Sequence, residues 1–161
     1  MNRDLFFMDQ AYKQAQKAFK AQEIPIGAVL VSRDGHVLAQ GYNQVEKKQN
    51  TVLHAEMIVI QRASKKLESW RLVGATLYVT VQPCLMCLGA IFLARITRVV
   101  YGIESAKYGV SIDQVQKLGI YQNLHTVAQC IHYEPAKTLL QLFFRKKRSM
   151  QYVNKKRIDK G

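Results

Sequence analysis

Apolar positions recur at steps of three and four near the start of the chain, at Leu5, Met8, Tyr12, Ala15 and Phe19. That spacing is the stripe of an amphipathic helix, and Lys13, Lys17 and Lys20 fall between its members, where they can stay in water. Glu23-Ile24-Pro25-Ile26-Gly27 ends the helix and opens a strand running to about Val31. Asp34-Gly35 predicts a type I′ hairpin, a turn that needs positive φ at both central residues, and the return strand covers about His36 to Tyr42. Asn43 to Val52 is polar and reads as a loop. A helix then starts near His54 with Met57, Ile60, Ala63 and Leu67 on one face. Leu77 to Val81 is apolar on both faces, as a central strand covered by helices should be. Pro83 to about Ala94 follows as a helix, since proline is tolerated in a first turn. Arg98 to Ile103 is the next strand, and Ser111 with Gln114 forms a capping box for a short helix ending at Gly119. Leu124 to Tyr133 is a last strand, and Glu134-Pro135 opens a C-terminal helix carrying Leu139, Leu142 and Phe143.

Five strands with interleaved helices predict an α/β fold, a three-layer α/β/α sandwich around a five-stranded mixed sheet containing one antiparallel hairpin. The helix between the last two strands makes their pairing parallel, because tight hairpins join only antiparallel neighbours. A length of 161 residues suits one domain spanning 1–161, with the stretch from about 134 to 161 as its basic end.

Charge adds a partner to this picture. The net charge is +13, and Arg145, Lys146, Lys147, Arg148, Lys155, Lys156, Arg157 and Lys160 crowd into the last seventeen residues against Asp159 alone. Clustering of that kind points to a polyanion rather than to solubility. Leu72 to Ala94 carries no charge and is long enough to span a bilayer, but Gln82-Pro83 in its middle and the Thr, Val and Tyr78 of its first half suit a buried strand followed by a buried helix. No membrane span is therefore expected. The N-terminus lacks the apolar core of a secretory signal, and three cysteines, two in a C-x-x-C, fit metal ligation in a reducing, cytoplasmic setting better than disulfides.

The chemistry lies in His54-Ala55-Glu56 and Pro83-Cys84-Leu85-Met86-Cys87. One imidazole and two thiols are the ligand set of a zinc site whose fourth position stays open for water. Two residues apart inside a helix, His54 and Glu56 would diverge; at a helix start they can converge ahead of the axis, because Cβ atoms tilt toward the N-terminus. Cys84 and Cys87 share a face at the next helix start, where the dipole favours thiolate. Zinc with three protein ligands, one ion per subunit, lowers the pKa of its water to about 7. Glu56 is placed to shuttle protons from that water to a substrate ring nitrogen and a leaving amine. Attack on an amidine-like ring carbon with loss of ammonia is hydrolytic deamination. The remaining histidines are weaker ligand candidates: His36 sits at the hairpin turn, and His125 and His132 lie on the late strand. Cys130 on that strand reads as a small buried apolar residue.

These residues resemble the zinc-dependent cytidine/deoxycytidylate deaminase superfamily, and more closely its bacterial tRNA adenosine deaminases. The likeness runs from the first helix to about Arg148 and includes Glu23 to Val29, Gly41-Tyr42-Asn43, Arg98 to Gly102 and Phe143-Phe144-Arg145. It implies a cytidine-deaminase-like fold, zinc on His54, Cys84 and Cys87, and Glu56 as the catalytic proton shuttle. It also implies that Asn43 contacts the flipped nucleotide, Ile24 lines the base pocket and Lys107 sits in the loop beside it. Phe143, Phe144 and Arg145 would pack against an anticodon loop. The implied partners are a tRNA anticodon stem-loop, whose wobble adenosine becomes inosine, and a second copy of the chain in a homodimer. The chain departs from the usual pattern at Gln82 (commonly Glu), Ser105 (commonly Asp), Tyr108 (commonly Thr) and Leu88 (commonly small). Two rival readings stand beside this one, a deaminase of a free base or nucleotide and a non-catalytic RNA-binding protein with a structural zinc.

Overall fold

The computed structural model describes residues 2–117, 119 and 126–158, apart from the side chains of 116 and 151–158. Leu124, His125 and Lys160, and the side chains of Lys155, Lys156 and Arg157, lie outside what is described. Eleven elements follow one another: α1 (Arg3–Lys20), β1 (Gly27–Val31), β2 (Val37–Tyr42), α2 (Val45–Lys48), α3 (Ala55–Leu67), β3 (Thr76–Val81), α4 (Leu85–Leu93), β4 (Arg98–Ile103), α5 (Ile112–Lys117), β5 (Val127–Cys130) and α6 (Glu134–Ile158).

The sheet order is β2-β1-β3-β4-β5. β1 runs antiparallel to both neighbours, while β3, β4 and β5 run parallel, so the sheet is mixed as expected. Strand alternation sorts the core. Val29, Val31, Tyr78 and Val100 face α1 together with Phe7, Met8 and Ala11. Ala28, Leu30, Leu77, Val79 and Val99 face the opposite layer of α3, α4 and α5. α6 joins α1 on the first face, where Phe143 meets Phe19 edge-on with ring centroids 6.2 Å apart.

Several local expectations change: the stretch 43–52 expected to be a loop contains α2, and the last strand covers Val127–Cys130 among the described residues rather than reaching Tyr133. The hairpin is not type I′, because Gly35 has φ +90° whereas Asp34 stays out of the left-handed region. Gly35 N–H donates to Ser32 O and Ser32 N–H to His36 O, so the connection is a three-residue loop with glycine at its left-handed position. On α1 the buried residues are Phe7, Met8, Ala11, Gln14, Ala15 and Ala18, and Leu5 is exposed. The helix lies so close to β1 that a Cβ on Gly27 would strike the Ala11 carbonyl oxygen and the Ala15 amide, which selects small residues over large ones for the contact. On α3 the buried face is Ala55, Glu56, Ile58, Val59 and Ala63, with Leu67 exposed. The capping box holds in both directions: Gln114 N–H donates to Ser111 Oγ (3.2 Å) and Ser111 N–H to Gln114 Oε1 (2.8 Å). The uncharged run from Leu72 is β3 and then α4, and no described helix is long and apolar enough to cross a membrane.

One ion pair ties α1 to the sheet. Asp4 accepts from both terminal nitrogens of Arg98 (2.7 and 2.8 Å) and from the Tyr78 hydroxyl (2.9 Å). The Arg98 guanidinium, helped by Tyr78, outweighs partial burial and holds the Asp4 carboxyl below its ordinary 3.8. A depressed carboxyl contributes stability that is complete above the ordinary value and disappears as pH falls through the lowered one. Asp4→Asn should therefore cost about 1–2 kcal/mol at pH 7, as charged hydrogen bonds do, with the difference from wild type vanishing in strong acid. Urea unfolding at neutral and acid pH checks this, and a cost that ignores pH would contradict it.

Candidate metal centre and its surroundings

The site is assembled at one edge of the sheet by direction alone. Because β1 is antiparallel to both β2 and β3, these two run the same way, and the helices that follow them start at the same edge. His54 is the N-cap of α3, and Cys84 the N-cap of α4. Pro83 thus precedes the helix instead of occupying its first turn. Ordinarily an N-cap side chain closes back on its own first turn. Neither His54 nor Cys84 makes that capping hydrogen bond, so both are free for another partner, with two sets of first-turn N–H groups aimed at the gap between them.

Across that gap His54 Nδ1 lies 3.7 Å from Cys84 Sγ and 3.4 Å from Cys87 Sγ. All three donor atoms fall within 4.8 Å of one another, and this is the cluster of metal-ligating groups found among the described residues. Zn–S bonds of about 2.3 Å and Zn–N bonds of about 2.0 Å put ligands roughly 3.5–3.8 Å apart around a tetrahedral ion. The donor set and its spacing therefore fit zinc with one position left over.

Electrostatics match. The Cys87 side chain, and after it His54, hold the Cys84 thiol down to about 4 against the effect of burial. The same contact with Cys84, together with burial, pushes the Cys87 thiol up. Contact with Cys84 raises the His54 imidazole, burial opposing it. Glu56 is 4% exposed, and burial raises its carboxyl above the ordinary 4.5. It touches Cys87, so a carboxylate with an enhanced hold on its proton stands beside the donor cluster.

The other candidate residues sort by position. Asn43 is buried directly after β2, with its backbone N–H on Ile26 O. Ile24 is half-buried at the entry to β1, at the same sheet edge. Lys107 is exposed in the loop after β4. Phe143 is only 7% exposed and packs on Phe19, which assigns it to the joint between α6 and α1. Phe144 is partly exposed and Arg145 exposed on the same helix. His36 and His132 are exposed, and Cys130 is half-buried rather than buried, its Sγ 3.7 Å from Gly102 O. Leu88 is buried in the core of the α4 layer. A cavity of about 420 Å³ lies beside α4 and α5 and includes none of the three donors or Glu56 in its lining.

Two supporting residues have contacts that a reading of the sequence does not reveal. Glu23 is fully buried, and its carboxylate accepts from Asn43 Nδ2 (3.0 Å) and from the backbone N–H groups of Glu46 (3.2 Å) and Lys47 (2.6 Å). It orients the Asn43 amide and fastens the 43–53 segment. Gln82 accepts from Ser105 N–H (3.2 Å) and sits so close to Gly109 that a Cβ there would strike its Oε1. An acidic residue just after a helix reads as solvated, and nothing in local spacing announces three donors arriving from twenty residues away. Glu23→Gln sets an amide NH₂ against at least one of those donors. It should cost about 1–3 kcal/mol in urea while leaving metal stoichiometry intact; unchanged stability would remove Glu23 from this role.

Comparison with known proteins agrees with the geometry. A family model described as MafB19-like deaminase matches residues 1–148. The tRNA-specific adenosine deaminase of Bacillus subtilis (strain 168) is 39% identical over 162 residues, covering 99% of both chains. A solved structure from work on A-to-I editing by tRNA:A34 deaminases at the wobble position of transfer RNA superposes with a TM-score of 0.75 at 35% identity, over 84% of this chain and 99% of that one. The guanine deaminase from Nitrosomonas europaea shares the fold, with a TM-score of 0.71 at 20% identity over 85% of this chain and 82% of its own. An open three-donor centre beside a buried carboxylate, on a chain alike from end to end, places this protein in the tRNA-specific adenosine deaminase family of the cytidine/deoxycytidylate deaminase superfamily.

Proposed function

We propose that the chain, acting as one catalytic domain, converts adenosine to inosine at the wobble position of a tRNA anticodon. The observation that carries this reading is the contact between the buried Glu56 carboxylate and the His54, Cys84 and Cys87 cluster. A purely structural zinc has no use for such a neighbour. That weighs against the non-catalytic RNA-binding alternative.

Zinc on His54, Cys84 and Cys87 would supply Lewis acidity and a water acidified to a pKa of about 7. The chain's own groups do the rest. Glu56 accepts one proton of the attacking water and passes it to a ring nitrogen of the base; it then takes the remaining proton from the hydroxyl added to the ring carbon and hands it to the amine, which leaves as ammonia as the C–N bond breaks and the carbonyl forms. Its burial strengthens the hold on that proton, which suits a group that must donate as well as accept. Asn43, held by Glu23, orients the base, and Ile24 supplies apolar wall. Lys107, Phe144 and Arg145 lie on accessible surface for the RNA, with Phe143 behind them keeping α6 in place. Single-stranded loops suit the reaction because their bases can be splayed into a pocket. The homodimer belongs to the same proposal, and Leu85, Met86 and Leu93 on α4 offer exposed apolar surface for it.

The fold is common to guanine deaminase and so does not separate the free-base alternative. Substrate competition does: inosine should form in an anticodon stem-loop bearing a wobble adenosine, with free guanine and cytidine neither consumed nor inhibitory. Glu56→Gln should retain fold and metal but lose about 10²–10⁴-fold in turnover; wild-type rates in that variant would end the proton-shuttle assignment. Removing residues after Arg148 should weaken stem-loop binding and flatten its dependence on salt at constant zinc content. An unaltered salt slope would return the tail to a solubility role.

A further inference from the structure

The loop between β4 and α5 is anchored to the dipeptide that leads into Cys84. Ser105 N–H donates to the Gln82 side chain, and Val110 N–H donates to Pro83 O at 3.2 Å. Within the loop Gly109 N–H closes on Ser105 O (2.9 Å) and Tyr108 N–H on Ser105 Oγ (3.4 Å). The fit of Gly109 against Gln82 leaves no slack on that side. On this fixed frame stands Tyr108, 65% exposed, with the Lys107 ammonium 5.0 Å from its ring centroid.

A bulky ring held in water on an anchored loop gains little by burial and presents a face to a ligand. A planar apolar face with a cation beside it matches one chemical unit, a nucleobase joined to its phosphate. Anchoring matters because a pre-ordered loop loses little entropy when it binds. We propose that Tyr108 and Lys107 form a subsite for the nucleotide adjacent to the reacting adenosine, Tyr108 stacking on its base and Lys107 neutralising a phosphate. The inference rests on the RNA substrate proposed above and adds a residue to it.

The probe is an RNA hairpin with one adenosine in its loop, bound to the zinc-loaded full chain and followed by fluorescence anisotropy. Tyr108→Ala should raise Kd about 5- to 100-fold, the range for one base stacked on one ring, whereas Tyr108→Phe should stay within about twofold. Melting temperature, zinc content and subunit stoichiometry should not move. A hairpin made abasic beside the adenosine should bind wild type more weakly by a similar factor and should cost Tyr108→Ala little more. An equal Kd for the alanine variant would overturn the subsite, as would an abasic penalty that survives the substitution in full, or a changed subunit stoichiometry with RNA affinity intact. Inosine formation by wild type on the same hairpin is scored separately: its absence would count against the deaminase reading, while the anisotropy result would still decide the subsite.

Discussion

The antiparallel placement of β1 between β2 and β3 is the constraint from which the site follows. A strand running against both neighbours makes those neighbours co-directional, so α3 and α4 must begin at one edge of the sheet. Their N-caps are His54 and Cys84, two side chains released from capping. The partial positive charge of two helix starts then bears on a gap lined by sulfur. Thr80 closes the arrangement from below, its hydroxyl accepting the N–H of Gly27 where β1 enters. Had β1 been antiparallel to one neighbour and parallel to the other, the imidazole and the thiols would sit at opposite edges of the sheet.

Within that frame the carboxylates divide the work by environment. Asp4 meets a guanidinium and stays charged, serving only to dock α1. Glu23 is buried without an ion-pair partner among the described residues but receives three N–H donors, which fix a loop and an amide. Glu56 is buried beside thiols, and its affinity for a proton rises. The same functional group thus serves as strut, as template and, in the proposed reaction, as acid–base, according to which neighbours the fold supplies.

The sequence made the elements and the donor set legible for a physical reason: both are written in local spacing. Strand β4 has the expected ends, the Ser111 and Gln114 box closes as read, and His54, Cys84 and Cys87 come together from two short motifs. What local spacing does not encode is how near one layer approaches another. On α1 the expected stripe holds at Met8 and Ala15 but not at Leu5, and it omits Ala11, Gln14 and Ala18, which the close approach to Gly27 brings inward. The face of α3 was likewise misjudged, since the helix must turn Glu56 inward and so buries Ile58 and Val59. The Asp34-Gly35 turn follows the pairing of its strands, which shifts register at Leu30 and Val31, rather than the dipeptide alone. The partners of Glu23 and Gln82 were not legible because they come from distant segments, most of them backbone N–H groups.

X-ray absorption at the zinc edge on purified full-length protein addresses the central claim most directly. The account requires one zinc per chain surrounded by two sulfur and two lighter ligands, one of the latter exchangeable with solvent. A metal-free chain, or a shell of three or four sulfurs, would contradict it.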